Sequence, residues 1–87
     1  MSDYVEARYA LLTLEQARES TDEQATSLLN GLLQDLSRTQ KRDLYRADTL
    51  ASIRHLAVVL CAHKAPPTPC WDAACEAAYA WRDHAYR

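Results

Sequence analysis

The 87-residue chain has one glycine, three prolines, no phenylalanine and no long apolar run. Each scarcity removes a class of structure. Tight hairpin turns draw on glycine, so little material is present for a sheet of short strands. The same shortage excludes a backbone cradle for phosphate, which needs a glycine-rich loop. No stretch reaches the roughly 20 apolar residues required to cross a bilayer, so no membrane partner is expected. The opening MSDYVEARYALL carries acids where a signal peptide needs a basic start. Three cysteines are an odd number and cannot all pair within the chain. Together these features predict a reducing, cytoplasmic location. No H-E-x-x-H motif, nucleophile elbow or paired carboxylates occur, so neither enzymatic activity nor a cofactor is expected.

What is present favours helices. The composition is 48% hydrophobic and 25% charged, which is that of a globular chain and not of a disordered one. Alanine and leucine, both strong helix formers, are abundant. The expected fold is all-α, a small bundle of three to four antiparallel helices with short connections, forming one helical domain over residues 1–87. A domain of this size buries only about 60–65% of its unfolded surface, so a second chain would add to a small core.

The net charge of −2 is unevenly spread. Residues 1–36 carry seven acids and two bases, residues 37–64 six bases and two acids, and residues 65–87 three acids and two bases. A basic middle between acidic flanks bears on surface and partners more than on fold.

The periodicity predicts four segments. Helix 1 starts near Asp3, with Glu6 completing a capping box. Tyr4, Ala7, Leu11 and Leu14 recur at helical spacing, with Val5, Tyr9 and Leu12 on a second flank. A helix apolar over so much of its circumference is packed on more than one side. Helix 2 follows Ser20-Thr21-Asp22-Glu23, read as a capping box with Ser20 as the cap. Ala25, Leu28, Leu29, Leu32, Leu33 and Leu36 form one stripe that keeps its phase through Asn30-Gly31, so the helix is expected to be continuous there. Helix 3 begins after residues 37–40 and runs to about Lys64. Leu50, Ile53, Leu56, Ala57, Leu60 and Cys61 make its main stripe. Leu44, Ala47, Ala51 and Val58 lie on a second face, which predicts a central position. Asp48 marks a possible break at Ala47-Asp48. Helix 4 opens with Thr68 as N-cap and Pro69 as first helical residue, and Trp71, Ala74, Ala78, Trp81 and Ala85 share a face.

Three constellations are candidates for function. The stretch CAHKAPPTPCWDAAC, Cys61 to Cys75, holds every cysteine and proline of the chain. Zinc sites usually pair their ligands at short spacing. Cys70 and Cys75 are five apart on one helix and point about 140° away from each other. The expectation is therefore no metal, with the cysteines acting as small packing residues. Cys70, in the first turn of helix 4, is the best placed of them for a reactive thiol.

Arg38, Arg42 and Arg46 are four apart and would line one helical face, with Lys41 and Tyr45 beside them. Arginine forks suit phosphate and carboxylate alike. A nucleic-acid contact, or a small nucleotide held at a subunit interface, is the alternative reading of this segment. Tyr79, Arg82 and Tyr86 recur along helix 4 beside Trp81, and Trp, Tyr and Arg are the residue types enriched at interface hot spots. The leading expectation is a non-catalytic protein-protein interaction protein, of the inhibitor, antitoxin or adaptor type. It would act on a partner protein through Tyr79, Trp81, Arg82 and Tyr86, and would itself assemble as a homodimer or larger oligomer.

Overall fold

In a computed structural model, which describes residues 2–39, 41–63 and 66–86, the chain forms four helices. These are α1 (Asp3–Arg18), α2 (Asp22–Ser37), α3 (Leu44–Ala62) and α4 (Thr68–Tyr86). No strand occurs among the described residues. The all-α expectation holds. None of the described helices is long and apolar enough to cross a membrane.

The helix starts show how local chemistry sets the boundaries. Ser2, not Asp3, caps α1, its hydroxyl accepting from the Val5 amide at 3.2 Å. Glu6 takes no part in a capping box, because its carboxylate turns into the protein and pairs there with Lys41. Thr21 and not Ser20 caps α2, accepting from the Gln24 amide at 3.2 Å. Ser20 instead donates its hydroxyl to the Gln16 carbonyl and helps to close α1. Asp43 caps α3 by accepting from the Arg46 amide. Thr68 is already helical, and the Pro67 carbonyl accepts from the Trp71 amide, so α4 begins one residue before the expected start at Pro69.

Two further expectations about continuity are resolved. α2 runs unbroken through Asn30-Gly31, and α3 runs unbroken through Ala47-Asp48. α3 ends at Ala62, where His63 takes a left-handed conformation (φ 54°) and donates its amide to the Val59 carbonyl. Histidine is among the few non-glycine types that enter this region readily. The expected end at Lys64 and the adjoining Ala65 lie outside the described residues.

The helices form a ring in which α1 neighbours α2 and α4, and α3 neighbours the same two. Cross-helix contacts give the directions. Tyr9 reaches Asp35, Arg18 reaches Asp72 and Asp43 faces His84, so early residues of one helix meet late residues of the next. Asp22 at the start of α2 likewise faces His63 at the end of α3, so each neighbouring pair is antiparallel and the bundle runs up-down-up-down.

The core is where the four stripes meet. Leu14, Leu29, Leu32, Leu36, Ile53, Leu56 and Trp81 are fully buried. Ala74 and Ala78 let α4 approach its neighbours closely, and Trp71 and Trp81 fill the space between. The central position expected for α3 is not found. In a ring of four, each helix keeps an outer face, and Leu44, Ala47, Ala51 and Val58 lie exposed on that of α3. Cys61 is likewise exposed and does not extend the core stripe.

Candidate interaction surface

The basic segment is the first candidate, and its residues do not form a stripe. Arg38 is the C-cap of α2, Arg42 lies in the α2–α3 connection and Arg46 lies within α3. The helix that would have aligned them is interrupted between Ser37 and Leu44. Arg46 is buried, and its guanidinium donates to the carbonyls of Leu36 and, at 3.0 Å, Thr39. These groups sit at the C-terminal end of α2, where helix carbonyls lack intrahelical partners and the dipole favours a cation. Arg46 therefore closes α2 from α3.

A buried carboxylate completes this cluster. Glu6 of α1 is only 1% exposed. Its carboxylate accepts from Lys41 at 2.9 Å and from the Thr39 hydroxyl at 3.3 Å, and Arg46 lies 3.7 Å away. Asp3 adds a second acceptor for Lys41 at 3.2 Å. The hydrogen bond to Glu6 raises the Lys41 pKa above its ordinary 10.5, partial burial opposes the rise, and Asp3 adds to it. Two of the cations read as anion contacts are thus neutralised by α1. Tyr45 is also engaged, its ring stacked on His84 of α4 at a centroid distance of 4.3 Å. What stays open is a shallow cavity of about 410 Å³ that Lys41, Arg42, Arg46 and Arg54 line. Arg54 joins it because Arg46, Leu50 and Arg54 are four apart on α3.

The cysteines do not converge. Cys61 is exposed on α3, while Cys70 and Cys75 are half-buried on α4 and pack against the core. Burial raises the Cys75 thiol pKa, Asp72 and Glu15 add to the rise, and Arg18 opposes it. Among the described residues, no three His, Cys, Asp or Glu side chains are grouped as metal ligands.

The remaining candidate is the outer face shared by α1 and α4. Tyr79 is 43% exposed and Tyr86 77% exposed, and the Arg82 guanidinium lies 4.9 Å from the Tyr79 ring centroid. This geometry is a cation–π pair. Trp81 is the exception among the four predicted contact residues. It has no exposed surface and serves as core, because it lies on the α4 stripe with Ala74 and Ala78. α1 supplies the other half of the face. Leu12 is 56% exposed and lines a small cavity with Arg8, Glu15, Tyr79 and Arg82. Val5, two turns earlier, is also exposed, and Tyr4 brings its ring to 5.6 Å from that of Tyr86.

The second flank of α1 is thus divided. Tyr9 turns towards α2, donating to Asp35 at 2.6 Å, while Val5 and Leu12 stay in solvent. That hydrogen bond raises the Tyr9 pKa above its ordinary 10.0, with burial and the Asp35 charge adding to it. The pattern of helix 1 signalled this face, but nothing in the spacing said that α4 would lie beside it. The buried Glu6 carried no signal beyond its place in a capping motif. The chain matches no protein-family model, no curated protein and no solved structure.

Proposed function

We propose that this chain is a non-catalytic, cytoplasmic protein-protein interaction protein, of the inhibitor, antitoxin or adaptor type, that works through the outer face of α1 and α4. One observation carries the reading. Leu12 and Tyr79 are exposed and line one cavity on two adjacent helices with Arg8 and Arg82, and exposed Tyr86 lies against Tyr4 on the same pair of helices. Scattered exposed apolar residues need no explanation, whereas a clustered group of aliphatic, aromatic and arginine side chains has the composition of an interface centre. The helices beneath it are held by the core, so the face is rigid before a partner arrives and little ordering entropy is lost on docking.

The test is site-specific photocrosslinking in the native cytoplasm. A photoreactive side chain at Leu12 or Tyr79 should yield a discrete protein adduct, and one at exposed Gln34 on α2 should not. Equal or absent adducts from all three positions would sink the reading.

A second reading, nucleic-acid or small-nucleotide binding, is supported by the cavity that Lys41, Arg42, Arg46 and Arg54 line. It ranks behind the first because Glu6 and Asp3 already offset two of these charges. Arg42→Glu and Arg54→Glu would each abolish binding to a phosphate-bearing ligand, and that binding would weaken steeply with salt.

A further inference from the structure

The charges around the α1–α4 face carry an order of their own. On α1, Arg8 precedes Leu12 by four residues and Glu15 follows it by three. On α4, Arg82 follows Tyr79 by three residues and lines the same cavity. Because α1 and α4 are antiparallel and Leu12 and Tyr79 share one cavity, both bases lie towards the same end of the bundle. Glu15 lies towards the other. At 1.5 Å of rise per residue, base and acid stand about equally far, roughly 5 Å, on either side of the Leu12–Tyr79 level. Arg8 and Glu15 have no ion-pair partner among the described residues, and Arg82 forms an ion pair with its neighbour Asp83.

We propose that the occupant of this face is a second copy of the same chain. Its two-fold axis would run across the helices at the level of Leu12 and Tyr79. This inference rests on the reading of the α1–α4 face as an interaction surface. Such an axis reverses the direction along the helices while keeping α1 opposite α1 and α4 opposite α4. It sets Arg8 against Glu15 of the partner subunit, a pair that occurs twice by symmetry. Leu12 and Tyr79 meet their own copies at the centre, where water is excluded. A face of uniform charge would repel its copy; this one is complementary to itself when inverted. Asp83 engages the guanidinium of Arg82, so the Arg8 pairs set the register.

Charge reversal decides the matter by sedimentation velocity over a range of protein concentration. All the substituted side chains are exposed, and circular dichroism verifies that the helices persist. The wild-type chain should sediment as a dimer. Arg8→Glu and Glu15→Arg should each weaken association about tenfold or more, since each turns two attractions into two repulsions. The double variant R8E/E15R should dimerise again. The two single variants, mixed, should form a heterodimer, because each supplies the charge that the other lacks. A wild-type chain that stays monomeric at high concentration overturns the proposal, and so do single variants that dimerise normally or fail to complement one another. If the wild type is monomeric yet crosslinks through Leu12 and Tyr79 to a different protein, the interaction surface stands and only the second copy is refuted. If neither occurs, both readings fail together.

Discussion

Replacing Glu6 probes the least expected feature of the bundle. Its carboxylate is 1% exposed, and the Arg46 side chain 3.7 Å away is 6% exposed. At an effective dielectric of about 20, opposite charges at that separation attract by roughly 4–5 kcal/mol. Taking both ions out of water costs several kcal/mol each, so the intact pair adds little net stability. Removing one partner is different, because Arg46 then stays buried with only neutral α2 carbonyls and the Thr39 hydroxyl to offset its charge, at a cost of about 3–5 kcal/mol. Glu6→Ala should therefore destabilise the protein by about 3–5 kcal/mol, a large share of the 5–15 kcal/mol typical of native domains. Urea unfolding followed by circular dichroism at neutral pH measures it. Glu6→Gln should cost less, because the amide oxygen can still accept from Lys41 and Thr39. The double variant Glu6→Leu/Arg46→Met should cost less than the sum of Glu6→Leu and Arg46→Met alone, since it strands no charge. A cost below about 1 kcal/mol for Glu6→Ala, or strict additivity in the double variant, would refute the reasoning.

Three other outcomes are expected. Stability should fall as pH rises beyond 10.0–10.5, because the folded pKa values of Tyr9 and Lys41 lie above the ordinary ones. Below that range both groups are protonated in either state and their contribution is complete. Within it the unfolded chain releases protons that the folded chain retains, and Tyr9→Phe with Lys41→Met should flatten this alkaline limb in a pH series of urea midpoints. Gly31→Ala should stabilise by about 0.5–1 kcal/mol, since Gly31 lies inside α2 and an added Cβ would meet no atom within 4 Å; thermal denaturation would show a higher midpoint, and an unchanged or lower one would contradict the helix there. Iodoacetamide at neutral pH should modify exposed Cys61 first and Cys75 slowly, because burial raises the Cys75 pKa and shields its sulfur. Peptide mass spectrometry showing Cys75 labelled ahead of Cys61 would disprove this.

Much of the fold was legible because the helical stripes are regular. The leucines of α2 repeat without interruption and leave one solution, which is why Asn30-Gly31 does not become a turn. The cap at Asp43 and the split of α2 from α3 were harder to see. Polar residues fill the segment from Ser37 to Asp43, and its arginine spacing imitates a helical face. The α3 residues Leu44, Ala47, Ala51 and Val58 misled for a related reason. Periodicity reports that a face is apolar, but not whether a neighbour covers it. The candidate surface was half legible. Tyr79, Arg82 and Tyr86 stand out by type and spacing, whereas Trp81 alternates with alanines as a core residue does while being of a type suited to a partner, and its burial makes it core.

The order, approximate limits and helical character of the four elements follow from the sequence alone. Local spacing and propensity act within a few residues, and here they agree. Which residues from distant segments meet was decided by the tertiary structure. The closing of the ring places Tyr79 beside Leu12, Glu6 beneath Lys41 and Arg46, and Tyr45 on His84. Those contacts depend on how four stripes rotate to share one core, and that rotation is a property of the packed whole. It converts an apparent arginine stripe into a helix cap and a buried ion pair, and it leaves Leu12 and Tyr79 exposed together between α1 and α4.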